Sequence, residues 1–294
     1  MTDNDNAVRV RGLVKRYPGK VAVAGVDLDI HRGEVFALLG PNGAGKTTTT
    51  EVLEGYRRAD EGEISVLGID PARGDRHWRS RIGIVAQSSR DEAELSVAEL
   101  VSHYAGYYPS PRDPEEVIAW VGLQEKRKTR TRKLSGGQRR RLDVALGVIG
   151  NPELLFLDEP TTGFDPEARR QFWTLIENLR TEGTTILLTT HYLDEAEHLA
   201  DRVGVIADGR MIELGTPETL GGRGARAARV SWLDADGAHE VRTDRPTAEV
   251  AALMARFNGE VPELEVRRPS LEDIYLELIA SVGAEPAVLE GAVR

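Results

Sequence analysis

Hydrophobic residues along the chain form short runs that alternate with segments of helical periodicity. The predicted strands are AVRVRGLVKRY (7–17), AGVDLDIHRGEVFALLG (24–40), RIGIVAQ (81–87), ELLFLD (153–158), TTILLTT (184–190) and RVGVIA (202–207). Helices are predicted for TTTTEVLEGYRR (47–58), PEARRQFWTLIENLR (166–180) and LDEAEHLA (193–200). Strands that alternate with helices in this way are typical of an α/β fold, in which both faces of a parallel sheet are covered.

The pattern turns helical between residues 91 and 150 and changes again after residue 220. The first change predicts a helical subdomain inserted in the α/β domain. A glycine- and arginine-rich linker, GGRGARAA (221–228), then separates the domain of residues 1–220 from a small α/β domain of residues 229–294. In this tail we expect the order strand, strand, helix, strand, helix. Ser270 and Asp273 predict a capping box for its last helix.

Composition limits the classes of protein that fit. The chain has 294 residues, of which 40% are hydrophobic and 29% charged, and it has no cysteine. This excludes disulfides and thiol chemistry. No apolar run approaches the ~20 residues that span a membrane, and the polar start MTDNDNAVRV is not expected to be a signal peptide. A formal charge of −10 argues against a general nucleic-acid binder.

The segment GPNGAGKT fits the phosphate-loop pattern G-x-x-x-x-G-K-[ST], and it stands between a predicted strand and a predicted helix, as the motif requires. Its backbone amides are suited to the phosphates of a nucleotide. The Lys46 ammonium would neutralise these phosphates, and the Thr47 hydroxyl would bind Mg²⁺. The predicted ATP-binding residues of this segment are Gly40, Pro41, Asn42, Gly43, Ala44, Gly45, Lys46, Thr47 and the adjoining Thr48.

Polar residues end several of the other predicted strands. Asp158 would hold Mg²⁺, and Glu159 would orient or deprotonate the attacking water. Gln87 is predicted to bind Mg²⁺ or water, and His191 to contact the γ-phosphate. Because ligands of open parallel sheets bind outside the carboxyl ends of the strands, we expect these residues to share one edge with the phosphate loop.

Two further features concern the nucleotide. Tyr17 is a candidate for stacking on adenine, although packing alone would also explain an aromatic residue at a strand edge. A second glycine loop, at Ser135–Gly137, leads directly into a helix and makes another candidate anion site. The basic run from Lys126 to Arg141 lacks the aromatic residues that single-strand nucleic-acid binders use, so we interpret it as a solvated face.

GPNGAGKT, the glutamine after RIGIVA, LSGGQ, LLFLDEP, TTGFDP and TTH follow one another in the order seen in ATP-binding cassette (ABC) ATPases. The resemblance covers roughly residues 7–220. The tail PSLEDIYLELI is also similar to that of the ATPase subunits of ABC-2 type exporters of the daunorubicin-resistance type. One departure is Phe164, where leucine is commoner.

The resemblance implies a P-loop ABC ATPase fold that binds and hydrolyses ATP with Mg²⁺. It implies that the second glycine loop (Ser135, Gly136, Gly137, Gln138) closes over ATP held by a partner chain. It also places Asp165 in a dimer-contact loop. The expected partners are a second ATPase copy, in a head-to-tail dimer, and a separate membrane permease, without nucleic acid.

The resemblance further implies a cytoplasmic protein that is peripheral on the inner face of the membrane through its permease. We expect an exporter ATPase. The alternatives are a soluble ABC ATPase acting on ribosomes or nucleic acid, and an importer ATPase. The transported substrate stays open.

Overall fold

The computed structural model describes residues 5–86, 94–234 and 236–284. It divides the chain into two compact units, Met1–Leu214 and a second unit that begins at Gly215. The division falls before the linker expected at 221–228. Residues Leu220–Ala225 form a 3₁₀ segment, and the next strand already begins at Ala228.

The described residues of the first unit form nine strands and seven α-helices. The strands are β1 (Asn6–Tyr17), β2 (Lys20–His31), β3 (Val35–Leu39), β4 (Glu61–Val66), β5 (Ile82–Val85), β6 (Leu154–Asp158), β7 (Thr185–Thr189), β8 (Arg202–Ala207) and β9 (Arg210–Gly215). The helices are α1 (Lys46–Leu53), α2 (Arg76–Ser80), α3 (Val97–Ala105), α4 (Pro114–Trp120), α5 (Gly136–Val148), α6 (Pro166–Thr181) and α7 (Leu193–Leu199).

A six-stranded sheet with the order β5-β6-β7-β3-β8-β9 forms the centre of this unit. The pairs β5/β6, β6/β7, β7/β3 and β3/β8 are parallel. The carboxyl ends of β6, β7 and β3 therefore lie side by side. The phosphate loop follows β3, and Asp158 is opposite Thr189 in the register of β6 and β7. This confirms the predicted parallel sheet and brings the strand-end residues to one edge.

Both faces of the central sheet are buried. Successive residues of β6 belong to different cores, because side chains of a strand point alternately to opposite faces. Leu155 and Leu157 pack in a cluster with residues of α3 to α6. Leu154 and Phe156 pack in a second cluster with residues of α1, β1 and β2. Burial on both faces explains why LLFL reads as a continuous apolar run.

The predicted strand 7–17 and the first part of the predicted strand 24–40 do not join the parallel sheet, whereas the end of the latter forms its strand β3. β1 pairs antiparallel with both β2 and β4 in a separate three-stranded sheet, in the order β2-β1-β4. The alternating pattern of β1 is the reason, since it suits a strand with one buried and one solvated face. Strands β4 and β9 and helix α2 were not predicted from the sequence.

Helices fill the predicted helical block, whose described part begins at residue 94. α3 begins with a capping box, in which the Ser96 hydroxyl accepts a hydrogen bond from the Glu99 amide and the Glu99 carboxylate accepts one from the Ser96 amide. No helix among the described residues is both long and apolar enough to cross a bilayer.

The second unit has the predicted order of elements: β10 (Ala228–Asp234), β11 (Gly237–Thr243), α8 (Pro246–Arg256), β12 (Glu265–Arg267) and α9 (Leu271–Ala284). The predicted capping box is confirmed, because the Ser270 amide donates to Asp273 Oδ2 at 2.8 Å and the Asp273 amide donates to Ser270 Oγ at 3.1 Å. Leu271 and Ile274 on the first turns of α9 are fully buried.

Candidate active site

The phosphate loop connects the buried strand β3 to helix α1, as the sequence predicts. Two of its three glycines are required by close packing. A Cβ atom at Gly40 would lie 2.2 Å from the Ile206 carbonyl oxygen, and one at Gly45 would lie 2.6 Å from the Ala22 carbonyl oxygen. Gly45 also has φ of 111°, which L side chains rarely adopt. The loop therefore presents backbone amides at the N-terminus of α1, where anions are stabilised.

Lys46 is the first residue of α1, and only 7% of it is exposed. Its ammonium donates hydrogen bonds to the carbonyl oxygens of Gly40, at 2.6 Å, and Pro41, at 3.2 Å. Burial lowers the pKa of Lys46, while the nearby carboxylates of Glu159 and Asp158 oppose this effect. The cation is thus held by its own loop, close to two acidic groups.

Asp158 ends strand β6, and Glu159 follows it directly. Asp158 Oδ1 accepts a hydrogen bond from the hydroxyl of Thr189, which fixes one carboxylate oxygen. Glu159 has φ of 47°, unusual for a residue other than glycine, and its amide donates to the Thr189 carbonyl oxygen at 2.9 Å. The His191 Nδ1 atom lies 3.3 Å from Glu159 Oε1. The acidic pair and the histidine therefore meet at adjacent strand ends.

A cleft of about 480 Å³ unites the phosphate loop with the acidic pair. Its lining residues are Tyr17, Lys20, Ala22, Asn42, Gly43, Gly45, Lys46, Thr47, Thr48, Asp158 and Glu159. Most of the predicted ATP-binding residues thus line one cleft. Gln87, predicted to bind Mg²⁺, lies outside the described residues.

The donor set of the cleft fits Mg²⁺. Thr47 supplies a hydroxyl and Asp158 a carboxylate, which are hard oxygen ligands. Within the described ranges no group of three or more His, Cys, Asp or Glu side chains could hold a metal by itself. One hydroxyl and one carboxylate suit Mg²⁺, which commonly takes one or two protein oxygens and completes its shell with phosphate oxygens and water.

The turn between β1 and β2 brings a second cation to the cleft. Tyr17 and Lys20 are register partners across this hairpin. Lys20 Nζ donates to the Gly43 carbonyl oxygen at 3.2 Å, so the ammonium lies against the phosphate loop. We did not predict a role for Lys20, although the Pro-Gly turn of YPGK would have placed it opposite Tyr17.

The second glycine loop does not line this cleft. Ser135 caps helix α5: its hydroxyl accepts from the Gln138 amide at 3.3 Å, and Gln138 Oε1 accepts from the Ser135 amide at 3.1 Å. Ser135 and Gly136 are exposed, and a Cβ atom at Gly136 would meet no atom within 4 Å. Asp165 is also exposed and caps α6 by accepting from the Ala168 amide at 2.7 Å.

Arg140 contradicts the expectation that the basic run is a solvated face. It is 7% exposed, and its guanidinium donates to the carbonyl oxygens of Pro160, at 3.1 Å, Ala86 and Asp158. It therefore links α5 to the end of β6 and to the segment that follows β5. Helical spacing contained the signal, because Arg140 shares the buried face of α5 with Val144 and Val148.

A phosphate loop after a central parallel strand, with an acidic pair at the end of the next-but-one strand, defines a P-loop ATPase. Residues 23–162 match the family model described as ABC transporter. The chain is 39% identical to the daunorubicin resistance ATP-binding protein DrrA3 of Streptomyces coeruleorubidus, with 93% of this chain and 96% of that protein covered.

It is also 38% identical to the Nod factor export ATP-binding protein I of Rhizobium johnstonii, with 92% of this chain and 94% of that protein covered. A solved ATP-binding subunit of an ABC transporter has the same fold, with a TM-score of 0.70 at 23% identity over 92% of this chain and 99% of that one. The chain belongs to the ABC transporter family and is one of its ATPases.

Proposed function

We propose that the chain is the ATP-hydrolysing subunit of an ABC exporter. The relatives that it covers almost end to end are named for drug resistance and for Nod factor export. Because their cargoes differ chemically, we assign export to this chain without a particular cargo. Specificity for the cargo would then reside in a separate membrane permease.

Within the cleft we assign a role to each group. The loop of residues 40–48 binds the phosphates of ATP, and Tyr17 stacks on adenine. Thr47 and Asp158 hold Mg²⁺, which supplies charge neutralisation at the phosphates. Glu159 orients the attacking water and accepts a proton from it, and His191 contacts the γ-phosphate. The 3.3 Å distance between His191 Nδ1 and Glu159 Oε1 supports the proposal that both side chains act at the γ-phosphate and its attacking water.

The exposed second glycine loop supports a dimer in which two chains complete each other's sites. Ser135, Gly136, Gly137 and Gln138 lie outside the cleft of their own chain, yet the loop opens a 13-residue helix whose N-terminus favours anions. We propose that it closes over the γ-phosphate bound by the partner chain, with Asp165 in the dimer contact. Two identical half-sites would then bury two ATP molecules.

The proposed dimer acts on the inner face of the cell membrane. The permease would supply the membrane-spanning part, and nucleic acid is not a partner, in keeping with the formal charge of −10. We further propose that residues 1–220 contain the whole ATP site, and that residues 229–294 serve subunit pairing or regulation.

The union of the phosphate loop and the acidic pair in one cleft carries the proposal of ATP hydrolysis, and the named relatives support export. The test is a cell that lacks this chain, complemented with the wild type or with Glu159→Gln. Mass spectrometry of cells and medium should show compounds that are retained in the deleted cells and exported again only with the wild type. Compounds that instead fail to enter the deleted cells would identify an importer and overturn the proposal.

A further inference from the structure

Arg57 lies between two tyrosine rings beside the nucleotide cleft. Its Cζ atom is 5.6 Å from the centroid of the Tyr17 ring and 5.6 Å from that of the Tyr56 ring. Both distances are within the range of a cation–π interaction. The contact with Arg57 also explains why an aromatic residue stands at position 56, where the side chain is 77% exposed.

The edge of the same guanidinium is held by helix α1. Glu51 Oε2 accepts a hydrogen bond from Arg57 Nε, and Oε1 lies 3.4 Å from Nη2. The backbone is fixed as well, since the amides of Tyr56 and Arg57 both donate to the Glu51 carbonyl oxygen, at 2.9 and 3.0 Å. The orientation of Arg57 is therefore determined by the helix that begins at the phosphate loop.

Arg57 reaches Tyr17 from outside the nucleotide cleft. Tyr17 lines that cleft, whereas Arg57 lines a neighbouring one together with Arg58, Gly62 and Pro71. A group in this position supports the ring without occupying the space for the base. The Lys15 ammonium also lies 5.9 Å from the centroid of the Tyr17 ring, but Lys15 belongs to the same strand, whereas Arg57 ties the ring to α1 through Glu51. This tie matters because Tyr17 ends β1 at an exposed Pro-Gly turn, where a side chain loses conformational entropy when it is ordered.

We propose that Arg57 is a positioning residue that orients Tyr17 for the adenine base. It connects the base-binding hairpin to the phosphate-binding helix through Glu51, Arg57 and Tyr17. The proposal rests on the stacking of Tyr17 on the base that is proposed above. Arg57 does not line the cleft of the phosphate loop, so it should raise affinity for nucleotides but not for free polyphosphate.

The test compares the affinity of the full chain for a non-hydrolysable ATP analogue and for inorganic triphosphate, which lacks the base. Arg57→Ala should weaken binding of the analogue about two- to fivefold, the effect of one exposed cation–π contact. Triphosphate binding and kcat at saturating ATP should stay unchanged, so that only KM rises. Arg58→Ala, a change of the exposed neighbouring arginine, should alter none of these values.

A second comparison, made in the Tyr17→Ala variant, distinguishes the role of Arg57 from the stacking of Tyr17 on adenine. In Tyr17→Ala, which should itself weaken binding of the analogue, Arg57→Ala should have no further effect. An equal loss for the analogue and triphosphate, or an undiminished loss in the Tyr17→Ala background, would overturn the role of Arg57. If Tyr17→Ala alone leaves affinity for the analogue unchanged, the stacking proposal fails and this inference fails with it. Absence of all nucleotide binding by the wild type would overturn the ATP site.

Discussion

The Nδ1 atom of His191 lies 3.3 Å from the Oε1 atom of Glu159, although the two residues are 32 positions apart (191 minus 159). The contact follows from the parallel pairing of β6 and β7, because each residue stands at or just beyond the carboxyl end of its strand. It places the imidazole of His191 beside a carboxylate that lines the nucleotide cleft.

We predict that Glu159→Gln abolishes ATP hydrolysis and leaves ATP binding intact. The amide keeps the size and shape of the side chain but cannot accept the proton of the attacking water, so a rate loss of about 10²–10⁴-fold is expected. Single-turnover hydrolysis and equilibrium binding of ATP measure the two effects separately. Near wild-type turnover would show that another group accepts the proton.

The pairing of chains is tested by adding Gly136→Glu to Glu159→Gln. Glu159→Gln alone hydrolyses ATP slowly, so it should accumulate as an ATP-dependent dimer when the concentrations of Mg²⁺ and ATP are well above their dissociation constants. The added carboxylate would face the partner's γ-phosphate, and like charges repel strongly in a dry interface. The double variant should bind ATP yet stay monomeric by light scattering.

Gly136 is suitable for this substitution, because a Cβ atom at this position would have no atom of its own chain within 4 Å. Gly136→Ala serves as the matched control, because it adds a side chain without a charge and should still allow the dimer. If Gly136→Glu dimerises as well as Glu159→Gln alone, the second glycine loop does not bind the partner's nucleotide.

Glu54, at the C-terminal end of α1, should make stability fall as pH rises. Burial raises its pKa to about 8, and the Asp158 and Glu51 carboxylates add to the shift. A carboxyl with a raised pKa in the folded state contributes stability below its unfolded value of 4.5, and this contribution is lost between there and about pH 8. Glu54→Gln should remove that part of the pH dependence.

Urea unfolding without nucleotide or Mg²⁺ measures this effect. The free energy of unfolding of Glu54→Gln, relative to the wild type, should increase from pH 6 to pH 8.5, because only the wild type has a carboxyl group that stays protonated up to about pH 8 in the folded state but ionises in the unfolded chain. A constant difference between the two proteins across this range would show that Glu54 is ionised in the folded state already at pH 6.

Arg140→Met should destabilise the first unit. It would leave the carbonyl oxygens of Pro160, Ala86 and Asp158 without this donor, at a cost of about 1–3 kcal/mol for each buried group left unpaired. Arg139→Met is the matched control, since Arg139 is the neighbouring arginine, is only partly buried and donates to the carbonyl oxygen of Thr131. If Arg140→Met and Arg139→Met lower the free energy of unfolding in urea equally, Arg140 has no special role in stability.

A chain truncated after Leu214 should still bind ATP. The first compact unit ends there, and every residue that lines the nucleotide cleft lies within it. Truncation at Leu220 would be less suitable, because Leu220 is fully buried in the second unit. Loss of nucleotide binding by a truncated chain that retains its circular dichroism spectrum would show that the second unit completes the site.

The sequence alone determined the features that depend on neighbours along the chain. The phosphate loop needs a strand, glycines and a helix in succession, and all three are contiguous in residues 35–53. The apolar run before Asp158 likewise predicts a strand buried on both faces. Capping boxes such as Ser270 with Asp273 are also local, since each spans one helical turn.

Only the tertiary structure decided which distant segments meet. The order β5-β6-β7-β3-β8-β9 is not the order along the chain, and it alone brings Glu159 beside His191. The separate antiparallel sheet, the burial of Arg140 and the seating of Arg57 on Tyr17 depend on the same arrangement. Local periodicity shows that a residue is buried, but it does not show which residue it contacts. Sheet order and core packing are set by contacts between residues far apart in sequence.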